Sequence, residues 1–189
     1  MSLAVIGASS EIAEATARLF FKNHHNLLLV ARDIGKISNH FSTRNKAGQT
    51  IEKYTCNFSN PNDLHATSQR IITSFDDDPY ILIAVGSIEG QDVAKNDPQA
   101  AANLIDINFR NLVILLTPIV TALESRGNGC LIIISSVAGD RGRQSNYVYG
   151  AAKAGLTTFA QGLRNRLSST DVHVLTVIPG YVDTRMLRE

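Results

Sequence analysis

Tyr149 and Lys153 stand four residues apart in Tyr149-Gly150-Ala151-Ala152-Lys153, a spacing that sets a phenol and an ammonium on one face of a helix. Ser136 lies upstream, at the end of an apolar run. A phenol that exchanges protons with a carbonyl or an alcohol near neutral pH has to be tuned, because its ordinary pKa is about 10. A neighbouring ammonium lowers that value by about 1–3 units, and each unit is worth about 1.4 kcal/mol. A serine hydroxyl adds a hydrogen bond to the substrate oxygen on which charge develops. The three side chains predict proton transfer between Tyr149 and a carbonyl or alcohol, with Lys153 acidifying the phenol and Ser136 orienting the substrate.

A second candidate lies at the start of the chain. The apolar run Leu3 to Ile6 ends in Gly7-Ala8-Ser9-Ser10-Glu11-Ile12-Ala13, followed by a helical pattern. A turn of small residues between strand and helix presents backbone N–H groups to a pyrophosphate, and the helix dipole adds about half a positive charge there. Gly7 allows the tight turn and Ala13 allows close helix packing. Glu11 occupies the second glycine of the pattern Gly-x3-Gly-x-Gly. Alone, this turn serves equally well as a βα connection that binds nothing.

The elements that must position these residues follow from periodicity. Runs Leu3 to Ile6, Leu27 to Val30, Thr50 to Cys56, Tyr80 to Val85, Cys130 to Ser135 and Val172 to Ile178 read as six strands, most of them apolar on both faces. Amphipathic stretches alternate with them, the pattern of βα units building a parallel sheet. Glu11 to Lys22 carries Ile12, Ala15 and Leu19 on one face, and Asn60-Pro61 and Asp97-Pro98 each pair an N-cap with a proline at the first helical position. A helix from Pro98 to about Ser125 contains Pro118, where a kink or an early break is expected. No linker, repeat or low-complexity tract divides residues 1–189, which are read as a single domain.

Composition narrows the partners. Lys plus Arg number 18 against 17 Asp plus Glu, a net charge of +1 that removes nucleic-acid binding through a global basic field. Hydrophobic residues at 44 % and charged residues at 19 % suit a globular core rather than a disordered chain. Cys56 and Cys130 sit in apolar stretches without metal or redox spacing and read as reduced core residues of a cytoplasmic protein. The five histidines lack ligand spacing, and Asp76-Asp77-Asp78 lacks the spacing and glycine of a calcium loop, so no metal site is expected. The N-terminal apolar run lacks the basic flank of a signal peptide, and the longest apolar stretch elsewhere, Leu112 to Leu116, is broken by Thr117 and Pro118. That falls short of the roughly 20 residues of a membrane span.

Taken in order, these motifs resemble the short-chain dehydrogenase/reductase family from Leu3 to about Met186. The resemblance rests on the turn at Gly7, Asn108 in Asp106-Ile107-Asn108-Phe109, Ser136 in Ile134-Ser135-Ser136-Val137-Ala138-Gly139, the Tyr149 and Lys153 pair, and Pro179-Gly180-Tyr181-Val182-Asp183-Thr184. It implies an α/β, Rossmann-type doubly wound parallel sheet of order 3-2-1-4-5-6 with helices on both faces. The family's substrate-covering segment and last strand normally follow the Pro179-Gly180 turn, and the sequence ends at Glu189 without them. It further implies Tyr149 as acid and base, Lys153 as holder of the nicotinamide ribose, Ser136 as substrate ligand and Asn108 as the residue that places a water in the proton relay. Gly7, Ser9, Ser10, Ile12, Asn57, Gly86, Pro179, Gly180 and Thr184 would then line the cofactor. The sequence departs from the family at Glu11 and Ala13, at Ala84-Val85-Gly86-Ser87 in place of Asn-Asn-Ala-Gly, and at Asn57 in place of an aspartate.

Cofactor choice is read after the second strand. Ala31 stands where an acidic residue would hold a ribose 2′-hydroxyl, and Arg32 follows, suited to a 2′-phosphate with Ser9 or Ser10 as helper. NADP(H) is therefore preferred, with NAD(H) possible. The alternative is a solvated Arg32 paired with Asp33. The stretch Ser136 to Gly150 is similar to the decaprenylphosphoryl 2-keto-pentose reductases, which implies a keto-sugar or lipid-linked sugar as substrate, with Arg141 or Arg143 facing a phosphate or simply solvated beside Asp140. The residues Leu112, Leu115, Leu116 and Ile119 form a broad apolar face, divided between core and a partner subunit in a homodimer or homotetramer. The expected function is interconversion of a small-molecule ketone and a secondary alcohol; the competing expectation is a nucleotide-binding regulatory protein of the same fold that has lost its chemistry.

Overall fold

The computed structural model describes residues 2–23, 25–37, 41, 49–88 and 90–188; the histidines at 24 and 40 lie outside them. Six strands form one parallel sheet: β1 (Ser2–Ile6), β2 (Asn26–Ala31), β3 (Ile51–Thr55), β4 (Pro79–Ile83), β5 (Asn128–Ile134) and β6 (Asp171–Val177), in the order β3-β2-β1-β4-β5-β6. Each boundary falls within two residues of the run that predicts it. Side chains alternate between the two faces as the pleat requires. Ala4 and Ile6 of β1 and Leu28 and Val30 of β2 enter one core, whereas Leu3, Val5, Leu27, Leu29 and Ala31 enter the other.

Helices cover both faces. The first core takes Leu64 and Ile71 of α2 (Pro61–Thr73), Leu112, Leu115, Leu116 and Ile119 of α5 (Asn111–Arg126), and Leu156, Ala160 and Leu163 of α6 (Tyr147–Arg166). The second takes Ala13 and Ala17 of α1 (Glu11–Lys22). Each large side chain buried this way contributes about 1.5–3 kcal/mol. The expected caps form: Asn60 accepts the Asn62 N–H, and Asp97 accepts those of Gln99 and Ala100 at the start of α4 (Pro98–Ile105). A short helix, α3 (Gln91–Ala94), precedes α4, and α7 (Arg185–Arg188) follows β6.

Three expectations are corrected. Helix α1 buries Ala13 and Ala17 rather than the face of Ile12, Ala15 and Leu19, and Leu19 is 60 % exposed. The two alanines let the helix lie close on the sheet, which larger side chains would hold off. The long helix does not break at Pro118, which lies inside α5. Ile114, whose carbonyl Pro118 leaves without an N–H donor, is on the solvent side, so the loss costs little. The irregularity comes earlier, where Asp106–Arg110 makes a π turn between α4 and α5 with Asn108 at its centre. Nor do Leu112, Leu115, Leu116 and Ile119 offer a face to a partner, since all four are wholly buried within the chain. Across Pro98–Arg126 the joined helix is long and apolar enough, by length and composition, to cross a membrane, but its leucines are spent on the core.

The strand order reverses at β1, which pairs with β2 on one side and β4 on the other. A crevice beyond the carboxyl ends of the strands at such a reversal is where doubly wound sheets bind ligands.

Candidate active site

Gly7 leaves β1 with φ of +88°, a conformation that suits glycine. A Cβ there would lie 2.8 Å from the carbonyl carbon and oxygen of Ala84, beyond β4. The Gly7 and Ala8 N–H groups both donate to the Val30 carbonyl at 2.9 Å, which folds the turn onto β2. Ser10 then starts α1 without making a side-chain cap hydrogen bond among the described residues. Ala13 is wholly buried, the close helix packing its small side chain predicts. Glu11 does not point at this turn unopposed: its Oε2 accepts the Arg185 N–H at 2.6 Å, and the Arg185 guanidinium donates to the Ser9 carbonyl at 3.1 Å. The residues here fit a dinucleotide pyrophosphate, with a cation brought to the place where a carboxylate replaces glycine.

At the end of β2, Ala31 is buried, Arg32 is exposed, and Asp33 accepts the Gly35 N–H rather than pairing with Arg32. Asn57 is exposed beyond β3; its Oδ1 already accepts the Ser59 N–H and its own N–H donates to Asp63. On the opposite side, Pro179 accepts the Val137 N–H at 3.2 Å, which ties the Pro179-Gly180 turn to the end of β5, and Thr184 accepts the Arg188 N–H.

Tyr149 and Lys153 share the inner face of α6 and are 7 % and 3 % exposed. The ammonium lies 5.8 Å from the centre of the phenol ring and donates to the Ile134 carbonyl at 3.4 Å. Ser136 caps the short 3-10 turn Val137–Gly139, its Oγ accepting the Ala138 N–H at 3.1 Å, and its hydroxyl acts on the phenol to lower the pKa of Tyr149. This turn packs backbone to backbone on α6: a Cβ on Gly150 would lie 2.6 Å from the Ala138 carbonyl oxygen, and one on Gly139 2.7 Å from the Ala154 nitrogen. Ser135, which sequence reasoning does not single out, fixes the same junction, donating to the Lys153 carbonyl at 3.2 Å and meeting the Thr157 hydroxyl at 2.6 Å.

The electrostatics differ from the expected acidified phenol. Burial holds the Tyr149 hydroxyl above its ordinary value, and the Ser136 hydrogen bond only partly offsets this. Burial also drives the Lys153 ammonium down to about 8. Desolvation is the largest effect on Tyr149 and the one named cause for Lys153. Asn108 is fully buried, and its amide is engaged on both sides: Oδ1 accepts the Ser87 N–H at 3.0 Å, while Nδ2 donates to the carbonyls of Ser87 at 2.7 Å and Leu104 at 2.9 Å. It thereby tethers the π turn to the loop after β4. A Cβ on Gly86 in that loop would meet Asn108 Oδ1 at 3.1 Å and Lys153 Nζ at 3.2 Å, so Gly86, Asn108 and Lys153 converge. Arg143 donates to the Val137 carbonyl at 3.0 Å, closing its own loop, and Arg141 is exposed.

The chain matches the family model of short chain dehydrogenases over residues 2–189. It is 33 % identical over 185 residues to an uncharacterized oxidoreductase of Mycobacterium tuberculosis, covering 96 % of this chain and 73 % of the relative. An uncharacterized oxidoreductase of Streptomyces coelicolor is 31 % identical, covering 96 % of this chain and 72 % of its own. Among solved structures, a bulky-bulky ketone specific alcohol dehydrogenase from Comamonas testosteroni superposes with a TM-score of 0.86 at 26 % identity, covering 100 % of this chain and 76 % of that one. A short-chain dehydrogenase from Sphingobium yanoikuyae in complex with NADPH superposes at 0.85 and 26 % identity, covering 98 % and 73 %. With the sheet order, the turn at Gly7 and the Tyr149 and Lys153 pair already in place, the chain belongs to the short-chain dehydrogenase family, NAD(P)-dependent oxidoreductases acting on CH–OH groups.

Proposed function

We propose that this protein binds NADP(H), with NAD(H) as the weaker ligand, and interconverts a ketone and a secondary alcohol with Tyr149 as the proton-transferring residue. The observation that carries this reading is the burial of the Tyr149 phenol and the Lys153 ammonium on one face of α6, with the ammonium 5.8 Å from the centre of the ring. When bound, the nicotinamide exchanges a hydride with the substrate carbon.

The chain's own residues do the rest. Gly7, Ser9, Ser10 and Ile12 hold the pyrophosphate, Arg32 the 2′-phosphate, and Asn57 the adenine. Gly86 leaves room beside Lys153, and Pro179, Gly180 and Thr184 line the nicotinamide end. Tyr149, whose phenol burial holds above its ordinary value, donates its proton to the carbonyl oxygen in ketone reduction and takes it back in alcohol oxidation. Ser136 hydrogen-bonds that oxygen as charge develops, and Lys153 holds the ribose.

Exposed apolar side chains on α3, at the start of α6 and in the segment after β6, namely Val93, Tyr147, Ile178, Tyr181, Val182 and Met186, support a substrate with a bulky apolar part. A lipid-linked keto-sugar combines such a part with a ketone, and it agrees with the likeness of the Ser136 to Gly150 stretch. The alcohol dehydrogenase from Comamonas testosteroni is specific for bulky-bulky ketones.

The test is NADPH oxidation over a panel of keto-sugars and bulky ketones, with wild type beside Tyr149→Phe. Turnover by wild type and its near-abolition in the variant, with NADPH still bound by fluorescence titration, is the expected result. Equal turnover by both excludes Tyr149. Binding of NADPH without turnover of any ketone points instead to a regulatory nucleotide-binding protein, a reading favoured only by Glu11 and the altered Ala84-Val85-Gly86-Ser87 loop.

A further inference from the structure

The first turn of α6 carries the tyrosine, and its N-terminus is not capped in the usual way. Asn146 is the N-cap and of a residue type that normally accepts the N–H of the second or third helical residue. Its backbone, at φ of −150° and ψ of 34°, is away from the extended conformation of such caps, and its side chain makes no cap hydrogen bond. Asn146 Oδ1 is buried with no partner among the described residues.

The third helical residue is Tyr149 itself, and its N–H is satisfied from elsewhere. Gln91, the first residue of α3 and 58 positions away, accepts it through Oε1 at 3.1 Å. Gln91 is 6 % exposed, and its Nε2 is buried without a partner among the described residues. Burying an amide with one end unpaired is costly, and an apolar side chain would fill the same space without that cost. The bond to Tyr149 is what the polar end of this side chain does. An apolar contact runs beside it: Ala94 of α3, Leu104 of α4 and Val148, the neighbour of Tyr149, form a small separate core. Gly90, at φ of +83°, a conformation that suits glycine, is the N-cap of α3.

We propose that Gln91 is a positioning residue for Tyr149, capping the first turn of α6 from α3 and so fixing where the phenol stands relative to Ser136 and Lys153. The inference rests on the reading of Tyr149 as the proton donor and adds the group that holds it. It acts through the backbone, so it leaves the NADP(H) turn at Gly7 untouched. A frayed first turn displaces the phenol, and a displacement of about 1 Å at a reacting group costs up to about 100-fold in rate.

The test uses the full chain with Gln91→Met, which keeps the volume and removes the acceptor, and Gln91→Glu, which keeps an acceptor oxygen. Two readouts are taken: kcat and KM with NADPH and a ketone that wild type reduces, and amide hydrogen exchange at Tyr149 in 15N-tyrosine-labelled protein without ligand. Gln91→Met is expected to accelerate exchange at Tyr149 and lower kcat about 10- to 100-fold, with the Kd for NADPH within about twofold of wild type. Gln91→Glu is expected to restore both protection and most of kcat. Unchanged exchange in Gln91→Met overturns the proposal, as does lost protection with an unchanged kcat, or failure of Gln91→Glu to recover either. A wild type inert toward every ketone sinks the functional reading and this inference with it. A wild type that turns over beside an unaffected Gln91→Met sinks this inference alone.

Discussion

The Lys153 ammonium stands 5.8 Å from the centre of the Tyr149 ring, in a site so dry that both groups are shifted toward their neutral forms. For Lys153 the folded value is about 8 against an ordinary 10.5. Between these values the unfolded chain binds the proton that the folded chain has released, so this group's contribution to stability rises with pH. Wild type should gain about 2 kcal/mol relative to Lys153→Met between about pH 7.5 and about pH 9.5. Denaturant midpoints at the two pH values measure it, and parallel pH dependence in the two proteins refutes it. Above about pH 10 the raised Tyr149 phenol works the other way: the unfolded chain loses a proton that the folded chain keeps.

Arg32 is exposed, and the Asp33 carboxylate beside it is engaged with Gly35 instead. Arg32→Ala should weaken NADPH binding at least about tenfold, the loss of a charge-assisted contact, and leave NADH binding within about twofold. Fluorescence titration of both nucleotides decides the matter; equal weakening, or none, removes Arg32 from the 2′-phosphate site.

Two glycines of α6 should respond to alanine with opposite signs. Gly162 has nothing near its missing Cβ, so Gly162→Ala should stabilise the protein by about 0.5–1 kcal/mol through helix propensity and chain entropy. A Cβ on Gly150 would stand 2.6 Å from the Ala138 carbonyl oxygen, and Gly150→Ala should cost about 1–3 kcal/mol and push the 3-10 turn away from Tyr149. Thermal melts of the two variants settle it, since a shared sign contradicts the packing described.

Asn108→Ala removes three hydrogen bonds made by a fully buried amide. A loss of about 2–3 kcal/mol is expected, together with faster amide exchange at Ser87. Full stability in this variant would mean that the loop after β4 is held by something else.

Much of this architecture is legible without coordinates. The bounds of α1, Glu11 to Lys22, follow from the turn of small residues before it and the helical pattern after it, although the face it buries does not. Asn60 and Asp97 announce their helices because a cap acts on residues two or three positions away. Pro118 is ambiguous in sequence, since whether a proline bends a helix depends on which side its orphaned carbonyl faces, a tertiary fact. The raised phenol escapes spacing for the same reason: spacing places two charges together, but only the fold says how dry their surroundings are. Gln91 cannot be found from spacing at all, as 58 residues and a change of element separate it from the N–H it accepts.

The π turn at Asp106–Arg110 works as a phase shifter. A residue advances an α-helix by about 100°, so one extra position within a turn rotates everything upstream relative to everything downstream. That rotation lets Leu104 look toward Val148 while Leu112 looks toward the sheet, although both belong to one continuous rod. Deleting a single residue there would re-phase the two helices and swing Asn108 off Ser87, damage that no single side-chain exchange elsewhere along them would reproduce.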